Sequence, residues 1–167
     1  MERGHGPCDH SEMTYPVCTC DPKNVDPPLW VQAFLGAVAA SEPMISTAEK
    51  KTGSSSDSVL AALEPGLPGR GYAVESGKKA AGKIRRPVLF GENGRPEVSY
   101  EIDACHDGEG IVVEVEAGRG ARGNASYRDL VRTSLILDAR FFVLLLPNAY
   151  RHNSGGREVA VQAYRET

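Results

Sequence analysis

The segment VSYEIDACHDGEGIVVEVEA, residues 98–117, limits the fold more than any other part of the chain. Side chains alternate across a strand. Val98, Tyr100, Ile102 and Ala104 therefore face one way, and Glu101, Asp103 and Cys105 the other. Beyond a tight turn at 107–110, Ile111, Val113, Val115 and Ala117 oppose Glu114 and Glu116 in the same manner. Strands over 97–106 and 111–117 thus form a hairpin. A loop centred on Gly108-Glu109 pairs 107 with 110, which sets Asp103 opposite Glu114 and Glu101 opposite Glu116. Directly opposed residues have Cβ atoms only ~4.5–5.5 Å apart, so like charges there repel. A divalent cation reverses that sign, and Mg²⁺ takes hard oxygen ligands of this kind. The same acids also suit the wet face of an ordinary hairpin, and a register slip of one residue would separate them.

Around the hairpin the pattern alternates between helix and strand. After Asp26-Pro27-Pro28, with Asp26 as the expected cap, Trp30, Ala33, Phe34, Ala37 and Val38 recur at helical spacing until Pro43 stops the helix. A Gly/Ser joint at 53–58 leads to a short helix with Val59, Leu60 and Leu63 on one face, ended by Pro65-Gly66. Strands are predicted at 72–75 and 87–91, followed by an Asn93-Gly94 turn, whose residues favour left-handed geometry. Past a Gly/Arg loop at 118–123, a helix is predicted over about 124–138. Ser126 and Asp129 are placed as a capping box, and Tyr127, Leu130, Val131 and Leu135 as its inner face. The apolar run 141–146 then predicts a strand covered on both sides, parallel to 111–117. Residues 157–167 read as a strand or as the start of a helix. They stop without a terminating signal, so a C-terminally truncated fold is expected.

These elements divide the 167 residues into a disordered or loosely packed tail (1–28), a helical segment (29–66) and an α/β core (71–167). No apolar run approaches the ~20 residues of a membrane span. The opening MERGHGPCDH lacks the apolar stretch of a secretory signal, so a cytoplasmic protein with no membrane partner is expected. The net charge of −3 says little against an anionic partner, because residues 1–70 hold 5 Lys+Arg against 9 Asp+Glu and the remainder is nearly balanced. His5, Cys8, His10, Cys18 and Cys20 invite a zinc reading. Structural zinc ligands usually lie about two to four residues apart, however. One residue separates Cys8 from His10 and Cys18 from Cys20, so the tail is expected to carry free thiols and no zinc. Cys105 and His106 are read as packing and turn residues, Trp30 and Phe34 as core or subunit contacts.

The order of elements resembles the PD-(D/E)xK nuclease superfamily, the restriction-endonuclease-like fold. That motif places an acid on one strand, (D/E)-x-K on the next, then a helix and a buried strand. Asp103, then Glu114-Val115-Glu116, then the helix after Asn124, then 141–146 follow this order over about half the chain. RRPVLFGENG, YEIDA, VEVEAGRG and YRDLVRTSLILDARFFVLLLP are also similar to bacterial proteins grouped with restriction-type endonucleases. The resemblance implies an α/β fold with a mixed sheet flanked by helices and preceded by a helical extension. It also implies Mg²⁺-dependent (or Mn²⁺-dependent) hydrolysis of DNA phosphodiester bonds. Asp103, Glu114 and the main-chain carbonyl of Val115 would hold the metal, Glu116 would act on the attacking water, and Glu75 would be an upstream acid. The chain departs from the motif at Glu116, which replaces the lysine. Some type II restriction enzymes also carry Glu there, and a degenerate, non-cleaving member that binds DNA or a protein is the alternative.

Basic residues flank the hairpin. Lys78, Lys79, Lys83, Arg85 and Arg86 precede it, Arg119 and Arg122 follow it, and Arg128 and Arg132 share a helix face. They suit DNA phosphates, although charge runs are also ordinary solvated faces. Cutting both strands would favour a homodimer.

Overall fold

The computed structural model describes residues 15–47, 53–77, 79–117, 124–154 and 157–161. Two strands from the acidic hairpin, β4 (Ala104–His106) and β5 (Ile111–Val115), lie at the centre of a four-stranded sheet. Its outer strands are β1 (Ala73–Val74) beside β4 and β6 (Phe141–Leu145) beside β5. The hairpin register follows from its turn. Gly110 takes φ +67°, and Ala104, Cys105 and His106 pair with Val113, Val112 and Ile111. Strand β6 runs parallel to β5, with Ile111 opposite Phe141 and Val115 opposite Leu145. The sheet is therefore mixed and the chain is of mixed α/β type.

The expected strand over 97–106 is broken at Asp103. Strand β3 (Pro96–Ile102) stops before Asp103 and pairs instead with β2 (Ile84–Phe90) in a separate two-stranded sheet. Glu101 consequently faces Arg85 and not Glu116. Alternation of faces also fails here. Ile102 packs with Cys105 and Val112, whereas Ala104 packs with Ile111 and Val113 on the opposite side. The turn between β2 and β3 is as expected, with Asn93 at φ 57° and Gly94 at φ 68°.

One face of the sheet carries most of the core. Helix α1 (Trp30–Ile45) buries Val31, Phe34, Ala37, Val38 and Ser41, while Ala33 stays exposed. Its N-cap is Leu29 without a side-chain cap bond, so Asp26 does not cap it. Pro43, expected to stop the helix, lies inside its last turn, and the helix continues to Ile45, which packs on the core. Helix α2 (Ser56–Leu63) starts at the cap Ser55, whose side chain accepts from the Ser58 amide, and buries Val59, Leu60 and Leu63. Both helices meet Ile111, Val113, Val115 and Ala117 in a single cluster.

Helix α3 (Ala125–Ser134) is turned the other way from expectation. It buries Ser126, Asp129 and Thr133, while Tyr127, Leu130, Val131 and Leu135 are 64%, 50%, 59% and 48% exposed. An amphipathic helix turns its apolar stripe inward only when the surface it meets is apolar. Here that surface includes Glu114 and Glu116, and it selects the polar face. Asn124, at φ 59°, is the N-cap, so Ser126 and Asp129 form no capping box. Strand β6 is half-buried along its whole length, because it lies at the edge of the sheet, and is not covered on both sides as expected.

Residues 157–161 are strand β8, antiparallel to β7 (Tyr150–Ser154). Residues 15–29 carry no helix or strand. No helix among the described residues is long and apolar enough to cross a membrane.

The orientation of α3 has a direct test. Truncating exposed Leu130 to Ala is expected to change stability by less than about 0.5 kcal/mol. Truncating fully buried Leu63 to Ala is expected to cost about 2–5 kcal/mol. Urea denaturation measures both; a core-sized loss at Leu130 would show that the helix faces inward on its apolar side.

Candidate functional site

Strand β5 ends beside the kink at Asp103, and this is where the acidic side chains meet. Asp103 is held twice. Its Oδ2 accepts the Val115 amide at 2.7 Å, and its main-chain carbonyl accepts the Glu75 amide at 2.8 Å. Glu114 hydrogen-bonds Asp103 side chain to side chain. Burial, with Asp103 and Asp129 close by, raises the Glu114 carboxyl from 4.5 to about 9. Glu114 therefore keeps its proton at neutral pH. Burial also moves Asp103 upward, against the pull of the Val115 amide.

Glu116 lies one turn of the alternation further along. It hydrogen-bonds Asp129 and stands 3.6 Å from the Arg128 guanidinium. Burial first, then the bond to Asp129, raises its carboxyl above the ordinary range. Asp129 is itself buried, with Arg128 Nε at 3.1 Å and Arg132 at 3.8 Å. Glu75 is buried and paired with Lys83. Lys83 is delivered by a close turn, in which the Gly82 carbonyl accepts the Ser76 amide at 3.0 Å and a Cβ at Gly82 would collide with the Ser76 carbonyl.

The acids singled out in the sequence, Glu75, Asp103, Glu114 and Glu116, thus form one linked cluster. Asp129 is an additional member, which the capping-box assignment hid. Its signal was the polar stripe Ser126, Asp129, Thr133 at helical spacing, which faces inward. The Val115 carbonyl accepts from Ser56 Oγ at 2.6 Å, and a carbonyl oxygen retains a second lone pair.

The basic residues behave differently from free phosphate ligands. Lys83 pairs with Glu75, Arg85 with Glu101 at 2.9 Å, and Arg86 with Asp107 and with the Cys105 thiol. Lys79 is exposed. Lys78, Arg119 and Arg122 lie outside the described residues, as do His5, Cys8 and His10.

Among the described residues, no three His, Cys, Asp or Glu side chains already form a group able to hold a metal ion. The donor chemistry nonetheless fits a hard cation. These carboxyls are shifted upward by burial first and by one another second, so the set is short of positive charge, and all its donors are oxygens. Such a cation would take the place of the proton shared by Asp103 and Glu114. No family model matches the chain, and neither a curated protein nor a solved structure matches it significantly.

The raised carboxyls make stability depend on pH. Between 4.5 and about 9 the folded chain keeps a proton on Glu114 that the unfolded chain releases. Stability therefore falls as pH rises through that window and levels off above it. Thermal melts in metal-free buffer are expected to show this decline, and Glu114→Gln is expected to flatten it. A melting temperature that rises across the window would contradict the assignment.

Proposed function

We propose that the chain is a Mg²⁺-dependent endodeoxyribonuclease of the PD-(D/E)xK, restriction-endonuclease-like type. The observation that carries this reading is the meeting of Asp103, Glu114 and Glu116 at the end of β5, with Glu75 bound to the Asp103 backbone. Asp103 and Glu114 are the side chains to hold the ion, with the Val115 carbonyl beside them. When bound, Mg²⁺ supplies Lewis-acid polarisation of the scissile phosphate and acidifies a water. Glu116, its basicity raised by burial and by Asp129, is suited to accept a proton from that water. Lys83 on Glu75 and Arg128 on Glu116 bring positive charge to the cluster. Lys78, Lys79, Arg119 and Arg122 are the proposed contacts to the DNA backbone. Arg85 and Arg86 would have to exchange their present carboxylate partners to join them.

A second reading is favoured by the exposed apolar face of α3. On that reading the chain is a catalytically silent nuclease-like module that binds DNA or a protein.

Plasmid nicking separates the two. Purified protein is expected to nick supercoiled DNA with Mg²⁺ or Mn²⁺, and Asp103→Ala or Glu114→Ala to slow this by about a hundredfold or more. Equal cleavage by wild type and both variants would overturn the nuclease reading. Salt-sensitive DNA binding without cleavage would establish the silent module.

A further inference from the structure

A cavity of about 340 Å³ lies at the carboxyl ends of the parallel strands β5 and β6. Helix α1 lines it with Val38 and Ile45, α2 with Val59, β5 with Val115 and β6 with Leu145. All five belong to the main apolar cluster or pack against it, so the cavity is a gap in that core. Val115 alternates with Glu114 along β5, which sets the cavity on the face of the sheet opposite the carboxyl cluster. Apolar cavities of about 150 Å³ stay dry and take up small hydrocarbons. Pockets for small ligands begin at about 300 Å³. This gap is therefore of ligand size, and an apolar guest would restore the dispersion contacts that its lining atoms lack. Val17 also lines the cavity and is exposed, so the cavity opens to solvent beside it.

One charge interrupts this apolar lining. Glu42, half-buried on α1 one turn before Ile45, is the only charged residue among the described residues that line the cavity. Among the described residues no Lys, Arg or His pairs with it. Buried acids elsewhere do have cationic partners, Glu75 in Lys83 and Asp129 in Arg128. A carboxylate beside a low-dielectric wall attracts a cation more strongly than one in open water. We propose that this cavity binds a small molecule of the alkylammonium class, an apolar body carrying one cationic nitrogen. The body packs against Val38, Val59, Val115 and Leu145, and the nitrogen donates to the Glu42 carboxylate. Thr47 Oγ1 donates to the Ala149 carbonyl at 3.4 Å, which ties the end of α1 to the segment after β6, and both residues line the cavity. The site takes no part in the carboxyl cluster and stands independently of the nuclease reading.

The test titrates the full, isotope-labelled chain with n-hexylammonium, and with hexanoate as a body of similar length and opposite charge, while NMR follows the backbone amides. Hexylammonium is expected to bind saturably and to shift the amide resonances of Ile45, Val59 and Leu145. It is expected to bind about tenfold more tightly than hexanoate, the worth of a hydrogen bond to a charged group. Glu42→Gln is expected to remove most of that preference. Ile45→Trp, shown to be folded by circular dichroism, fills the cavity and is expected to abolish the shifts at Val59 and Leu145. Absence of saturable shifts at Val59 and Leu145 in wild type, or shifts confined to the carboxyl cluster, overturns the proposal. So does a preference for the ammonium that Glu42→Gln leaves unchanged.

Discussion

A single hydrogen bond, from the Val115 amide to Asp103 Oδ2, organises this molecule. In an uninterrupted hairpin that amide would bond a strand carbonyl. A side-chain carboxylate takes it instead, and the β4–β5 ladder ends there. The interruption sends β3 away to pair with β2, and it reverses which face Ile102 presents. It also fixes a carboxylate at the end of β5, next to Glu114. A charged acceptor makes a stronger bond than a neutral one, which offsets part of the cost of burying Asp103.

That anchoring has an electrostatic consequence. Burial disfavours the ionised form of Glu114 most, and the immobilised Asp103 beside it adds to this, so Glu114 retains a proton. Burial and the bond to Asp129 raise the Glu116 carboxyl as well, against the pull of Arg128, and Lys83 neutralises Glu75. The site is thus a row of acids, some balanced by protons and some by internal cations. Helix α3 belongs to this balance. It presents Asp129 and Thr133 inward because the sheet surface beneath it is acidic, and its apolar residues are left outside.

The hairpin was legible because its signals are local. Period-two alternation, a Gly-containing tight turn and the apolar run at 141–146 predicted the β4–β5 register and the parallel β6. The Val59, Leu60 and Leu63 face of α2 was legible for the same reason. Asp103 and Glu114 were legible together because two strands in register bring their acids together; Glu75 entered only through the family resemblance, and Glu101, set opposite Glu116 by the same register, pairs with Arg85 instead. Asp129 was not, since an acid three residues after a serine fits a helix cap equally well. Lys83 read as a free cation because nothing near it in sequence discloses that Gly82 packs against Ser76 and aims it at Glu75.

The amino-acid order alone determined the strand–turn–strand–helix–strand succession and the residues able to carry acid chemistry, because alternation, turn geometry and helical period act over a few neighbouring residues. Tertiary structure decided where the long strand breaks, which face of α3 turns inward and which charges neutralise one another. Those outcomes depend on groups distant in the chain competing for the same hydrogen bonds and the same low-dielectric space. No local pattern records who wins such a competition.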